Sequence, residues 1–192
     1  MRKLVLSGLS AFFLLCTSSS FSQQYVVFKR HDPKKDSNLN PFMNSRINPD
    51  SNSSINPAYN WNVNPIRNNE VNPFSNSLIN PGNNMELNPK SNDILNPGVM
   101  KSLLPASPTW DGLYLFNGDN EMLGYVSRAT QNVMVSFDNS GSWNGFFVRA
   151  NSSMYNFFNT AGVWTGMFLV YDNSAGFNLF DKTGKWTGMH VK

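Results

Sequence analysis

The sequence predicts an all-β protein: a small symmetric barrel of four β-hairpins, preceded by an Asn-Pro octapeptide repeat region that is either of low order or solenoid-like. Three observations carry this expectation. Asn-Pro recurs every eight residues from Asn40 to Asn96, without a slip. Prolines at that spacing forbid a continuous helix, because each removes a backbone donor and clashes with the preceding turn. After Pro108 a different, aromatic-rich repeat of 21 to 22 residues takes over, with a turn signal in each copy.

The N-terminus comes first. Residues 1–22 begin Met-Arg-Lys, continue as an apolar run from Leu4 to Leu15 and end in small polar residues, the three-part layout of a secretory signal. The protein is therefore expected to be exported: periplasmic, outer-surface or secreted. The apolar run is too short for a spanning helix, and no later stretch approaches the ~18 residues that spanning requires. Cys16 raises the question of lipidation, but Leu15 stands where a lipobox has a small residue. With the signal removed the chain contains no cysteine, which excludes disulfides, thiol nucleophiles and Cys-ligated zinc. Arg2 and Lys3 leave too, so the 15 basic residues become 13 against 12 acidic ones. Nucleic acid is not an expected partner. Residues 23–38 form a leader whose cluster Lys29, Arg30, His31, Lys34 and Lys35 reads as solvated, or as a patch for acidic polymers or headgroups.

The octads occupy residues 39–104. The unit is [Ile/Val/Leu]-Asn-Pro-x-x-Asn-x-x, with aliphatics at Leu39, Ile47, Ile55, Val63, Val71, Ile79, Leu87 and Leu95 and a second Asn from Asn44 to Asn92. Proline presets a turn dihedral and pushes the preceding Asn to an extended conformation, while the Asn side chain accepts from an amide further along. One reliable apolar residue in eight cannot order a lone octad. Two forms follow: a turn-rich stalk reaching roughly 190 Å if polyproline-like, or a solenoid in which sixteen residues close a rung, aliphatics inward and Asn in ladders. Only four acids are scattered through the octads, which does not suit a calcium-binding solenoid. Evenly spaced sites suit multivalent contact or spacing.

Residues 110–192 hold the hairpins, and aromatics make up about a fifth of them. Four segments align: Phe116 to Gly124, Phe137 to Gly145, Phe158 to Gly166 and Phe180 to Gly188. In each, Asp or Asn opens a turn, and Gly in a left-handed conformation lets the second strand resume through a bulge. Asn120 replaces that Gly in the first unit. Met154 to Phe158 and Met167 to Tyr171 carry apolar residues on both alternate faces, so these strands are expected to be buried on two sides, as in a small closed barrel.

The motif aromatic-Asp-x-x-Gly-x-Trp-x-Gly-aromatic-x-Val, repeated four times, resembles the four-fold β-flower domains, shallow barrels of symmetric hairpins. The resemblance covers residues 110–192. It implies a shape similar to a Tubby-like barrel without its central helix, an apolar central channel and lipid binding, and no established activity. Choline-binding cell-wall repeats share the Phe-Asp-x-x-Gly hairpin, but their Gly-Trp and Trp-Tyr-Tyr pairs are missing here.

Trp143, Trp164 and Trp186 hold one equivalent position and are expected to form a ring, broken by Met122. With Phe137, Phe158 and Phe180 they are the candidate ligand-binding residues, as a stacking platform for lipid or sugar; the competing reading makes them packing. Asp138, Asp181, Asn117 and Asn159 are expected to serve their turns. No catalytic residue, metal ligand or cofactor is assigned, since His31 and His190 lack nucleophile partners in any familiar motif. The expected function is an exported, non-catalytic binding module for lipid or another apolar small molecule. The alternatives are a structural or adhesion component of the cell surface, capable of self-association, and more distantly a glycan-binding or glycan-cleaving protein using Asp119, Glu121 and the turn aspartates.

Overall fold

The computed structural model describes residues 32–88, 91–92, 113–119, 121–173 and 176–192. The signal peptide with Cys16, the leader as far as His31, the final octad and Asn120 lie outside the described residues.

Eight strands form a closed antiparallel barrel in sequence order: β1 (Leu113–Phe116), β2 (Met122–Arg128), β3 (Val133–Asp138), β4 (Trp143–Arg149), β5 (Met154–Asn159), β6 (Trp164–Asp172), β7 (Gly176–Phe180) and β8 (Trp186–Val191). The four expected hairpins are β1–β2, β3–β4, β5–β6 and β7–β8, and pairing of β1 with β8 closes the ring. In each hairpin the register shifts just before the turn, leaving Phe116 opposite Met122, Phe137 opposite Trp143, Phe158 opposite Trp164 and Phe180 opposite Trp186. The turn glycines Gly141, Gly162 and Gly184 have φ of 75°, 76° and 79°, the left-handed region that a side chain rarely adopts.

Successive side chains point to opposite sides of a strand. Val126, Met134, Phe147, Leu169, Leu179 and Val191 pack into one cluster together with Tyr155 and Phe177, and no described octad residue belongs to it. An eight-stranded barrel is just wide enough to be filled by such side chains. These residues are its interior. The apolar central channel implied by the β-flower resemblance is therefore not open: large side chains from seven strands occupy it.

The neighbouring residues point outward, yet they are also buried. Val133, Val135, Phe137, Phe146, Val148 and Phe158 pack against Val63, Val71, Ile79 and Leu87 of the octads, and Met154, Phe168, Val170 and Phe180 pack against Ile47 and Ile55. The octads thus cover the outer wall of the barrel, and the stalk expected from their composition is not found. They pass the hairpins in reverse order. Lys34 Nζ lies 5.8 Å from the ring centre of Trp186, Asn156 Nδ2 of β5 donates to Ile55 O at 2.7 Å, and the Phe74 and Trp143 rings are 6.2 Å apart.

Within the octads, a 3-10 or comparable tight turn follows almost every Asn. The Asn side chain uses both of its ends. Its Oδ1 accepts from the amide two residues on, as from Arg46 to Asn44 and from Asp50 to Asn48. Its Nδ2 donates to a carbonyl six or seven residues back, as from Asn52 to Arg46 O and from Asn56 to Pro49 O. Aspartate could cap the turn but lacks that donor, and serine lacks the reach. The structural repeat is consequently eight residues, not the sixteen of the expected rung, and the Asn amides bridge to backbone rather than stacking on each other. From Pro41 to Leu87 the octads send their aliphatics and prolines toward the barrel, and both are buried.

Candidate functional site

The residues singled out in the sequence are brought together only in part. Phe137, Phe158 and Phe180 are at most 1% exposed and lie between the barrel wall and the octads. A ligand could reach them only by displacing the octads. Trp143, Trp164 and Trp186 are half-buried at the edges of the same clusters. Trp143 Nε1 donates to Gly145 O at 2.8 Å and Trp186 Nε1 to Met189 O at 3.2 Å, whereas Trp164 Nε1 is buried without a partner. Trp164 borders a cleft of about 400 Å³ with Asp50, Thr165, Lys182 and Thr183. The three indoles share a position in their hairpins, but each meets a different part of the octads, so they do not form one continuous platform.

The four turn-opening residues do one job. Asn117 Oδ1 accepts from the amides of Asp119 and Glu121, Asp138 Oδ1 from Ser140 and Ser142, Asn159 Oδ1 from Ala161 and Val163, and Asp181 Oδ1 from Thr183 and Lys185. The Asp181 carboxyl is held below its ordinary pKa, first by the Thr183 hydroxyl; burial opposes this, and the amides of Lys185 and Thr183 and the Lys185 charge together add to the lowering. A depressed folded pKa stabilises the fold above the unfolded value, and that stability is lost as pH falls through the folded one. Asn does the same work at two of the four turns. Asp181→Asn is therefore expected to keep the melting temperature near neutral pH and to flatten its fall in acid, while Asp181→Ala costs about 1 kcal/mol at neutral pH. A thermal melt series from neutral pH down through the carboxylate range checks both.

One candidate surface escaped the sequence reading. The octads expose Phe42, Met43, Tyr59, Trp61, Ile66, Phe74, Leu78 and Met85, from 57% at Met85 to 73% at Tyr59, with Phe74 beside Trp143 of β4. They occupy the x positions, which vary from octad to octad and carry no periodic signal. Arg46 and Arg67 lie among them, with the Arg67 guanidinium 4.9 Å from the ring centre of Trp61. The spacing is fixed, because the described octads are pinned below by buried aliphatics and laterally by Asn bridges such as Asn64 Nδ2 to Pro57 O and Asn68 Nδ2 to Asn62 O. Single exposed apolar residues need no explanation, but eight large ones on one short array are a feature of interaction surfaces.

Compared with protein-family models, curated proteins and solved structures, the chain finds no match in any of the three. Among the described residues no helix is long and apolar enough to cross a membrane.

Proposed function

We propose that the protein is an exported, non-catalytic binding module that engages an apolar surface, a lipid interface first of all, through the outward face of its octads. The observation that carries this reading is the number of large apolar side chains that the octads expose while their aliphatics and prolines are buried against the barrel. Aromatic rings interleaved with arginines suit the boundary between acyl chains and headgroups. The barrel serves as the scaffold: its wall positions the octads, and its own side chains fill its centre. This moves the site expected at the Trp ring to the opposite side of the octads.

Vesicles of phosphatidylcholine with phosphatidylglycerol provide the test. The full mature chain is expected to co-sediment with them. A triple variant, Tyr59→Ser, Ile66→Ser and Leu78→Ser, is expected to lose roughly a hundredfold in partitioning, taking about 1 kcal/mol for each partly inserted side chain. Its melting temperature stays unchanged, since none of the three supports the fold. Failure of the unaltered protein to bind vesicles, joined to concentration-dependent self-association that the triple variant abolishes, would replace this reading with that of a structural surface component.

A further inference from the structure

We propose that a second, polar site lies where octad residues 60–71 cross the connector end of the barrel, and that it takes a carbohydrate. A cleft of about 510 Å³ opens there between the octads, the β2–β3 connection and the β4–β5 connection. That size falls within the roughly 300–1,000 Å³ of small-molecule sites. Among the described residues Val63, Val71 and Ala150 are the only apolar ones of its lining, and the groups that offer hydrogen bonds are Asn62, Glu70, Asn132, Arg149, Asn151 and Ser152.

Most of the other asparagine amides of the octads are spent on the fold, and this distinguishes the cleft. Asn60 and Asn68 on its border cap their turns and donate backward like the rest. Asn62 and Asn132 differ: each is bonded through its backbone, and its side-chain amide has no partner among the described residues. Arg149 uses Nε on Asn151 O at 3.0 Å and keeps its terminal nitrogens for the cleft. The Glu70 carboxylate also borders it and forms no ion pair with Arg149. The cleft therefore offers amides that donate and accept, a carboxylate that only accepts and a guanidinium that only donates.

Vicinal hydroxyls, each both donor and acceptor, match such a set. A phosphate would meet the Glu70 charge, a cation would meet Arg149, and an apolar ligand would strip water from polar groups without replacing their hydrogen bonds.

The experiment measures binding of cellotetraose, chitotetraose, maltotetraose and mannotetraose to the full mature chain by saturation-transfer NMR and calorimetry. At least one is expected to bind. Glu70→Gln and Asn132→Ala are each expected to weaken it about tenfold. Both residues are exposed and outside the core, so the melting temperature and vesicle binding should not move. The proposal is overturned if none of the four binds at millimolar concentration, if both variants bind as the unaltered protein does, or if inorganic phosphate or tetra-alanine binds in preference. Vesicle binding is read through Tyr59, Ile66 and Leu78, none of which lines the cleft, so either result leaves the other standing.

Discussion

Replacing Ile79 with alanine is expected to destabilise the whole protein by about 2–5 kcal/mol, the usual cost of emptying a fully buried aliphatic site. Ile79 is 0% exposed and belongs to the cluster that joins the octads to β1, β2, β3, β4 and β5. An octad on its own has no core: its aliphatic and proline face the barrel, and its remaining side chains face water. Neither can the barrel do without the octads, because Val133, Val135, Phe137, Phe146 and Phe158 would then be exposed on its outer wall. The two regions should therefore unfold as one. Far-UV circular dichroism, dominated by strands and turns, and tryptophan fluorescence from Trp143, Trp164 and Trp186, read with Trp61 and Trp110 replaced by Phe, should show one coincident transition, shifted equally by Ile79→Ala. The isolated segment 39–100 should show no cooperative melting. Separate transitions, with the tryptophan signal unmoved by Ile79→Ala, would mean that the octads only rest on the barrel.

Phe158→Ala is expected to cost about 3–5 kcal/mol, and to do so without altering any ligand affinity that survives. Phe158 stacks on Phe146, with ring centres 5.5 Å apart and planes 16° from parallel. It lies opposite Trp164 at the register shift of its hairpin and is covered by the octads. Phe137 and Phe180 occupy the equivalent places opposite Trp143 and Trp186, so their truncation should behave alike. Denaturant titration gives the loss of stability, and vesicle co-sedimentation below the midpoint shows whether binding is spared. A variant of unchanged stability that has lost binding would restore Phe158 to the role of a ligand contact.

Much of the architecture was legible because it is written in local rules. The Asp/Asn-x-x-Gly turns, the register shift that follows from a left-handed glycine and the resulting four hairpins depend on residues within one hairpin of each other. So does the turn role of Asn117, Asp138, Asn159 and Asp181. The candidate site was less legible. Phe42, Tyr59, Trp61 and Leu78 sit at variable octad positions, and nothing local marks which side of a repeat faces solvent. Asn62 and Asn132 are 70 residues apart in sequence, and only the passage of the octads over the connectors places them on one cleft.

A signal for the larger arrangement was present on both sides. Strands such as Val133–Asp138 carry apolar residues on both faces, while a barrel interior can absorb only one of them; the octads carry one aliphatic every eight residues with no core of their own. Sequence alone determined the two repeats, the hairpins and the need of each region for a buried face. That the missing cover for the barrel wall is the octad array was decided only in three dimensions. The octad period matches no strand period, and the fit between them depends on the curvature of a closed barrel, which exists only after β1 has paired with β8.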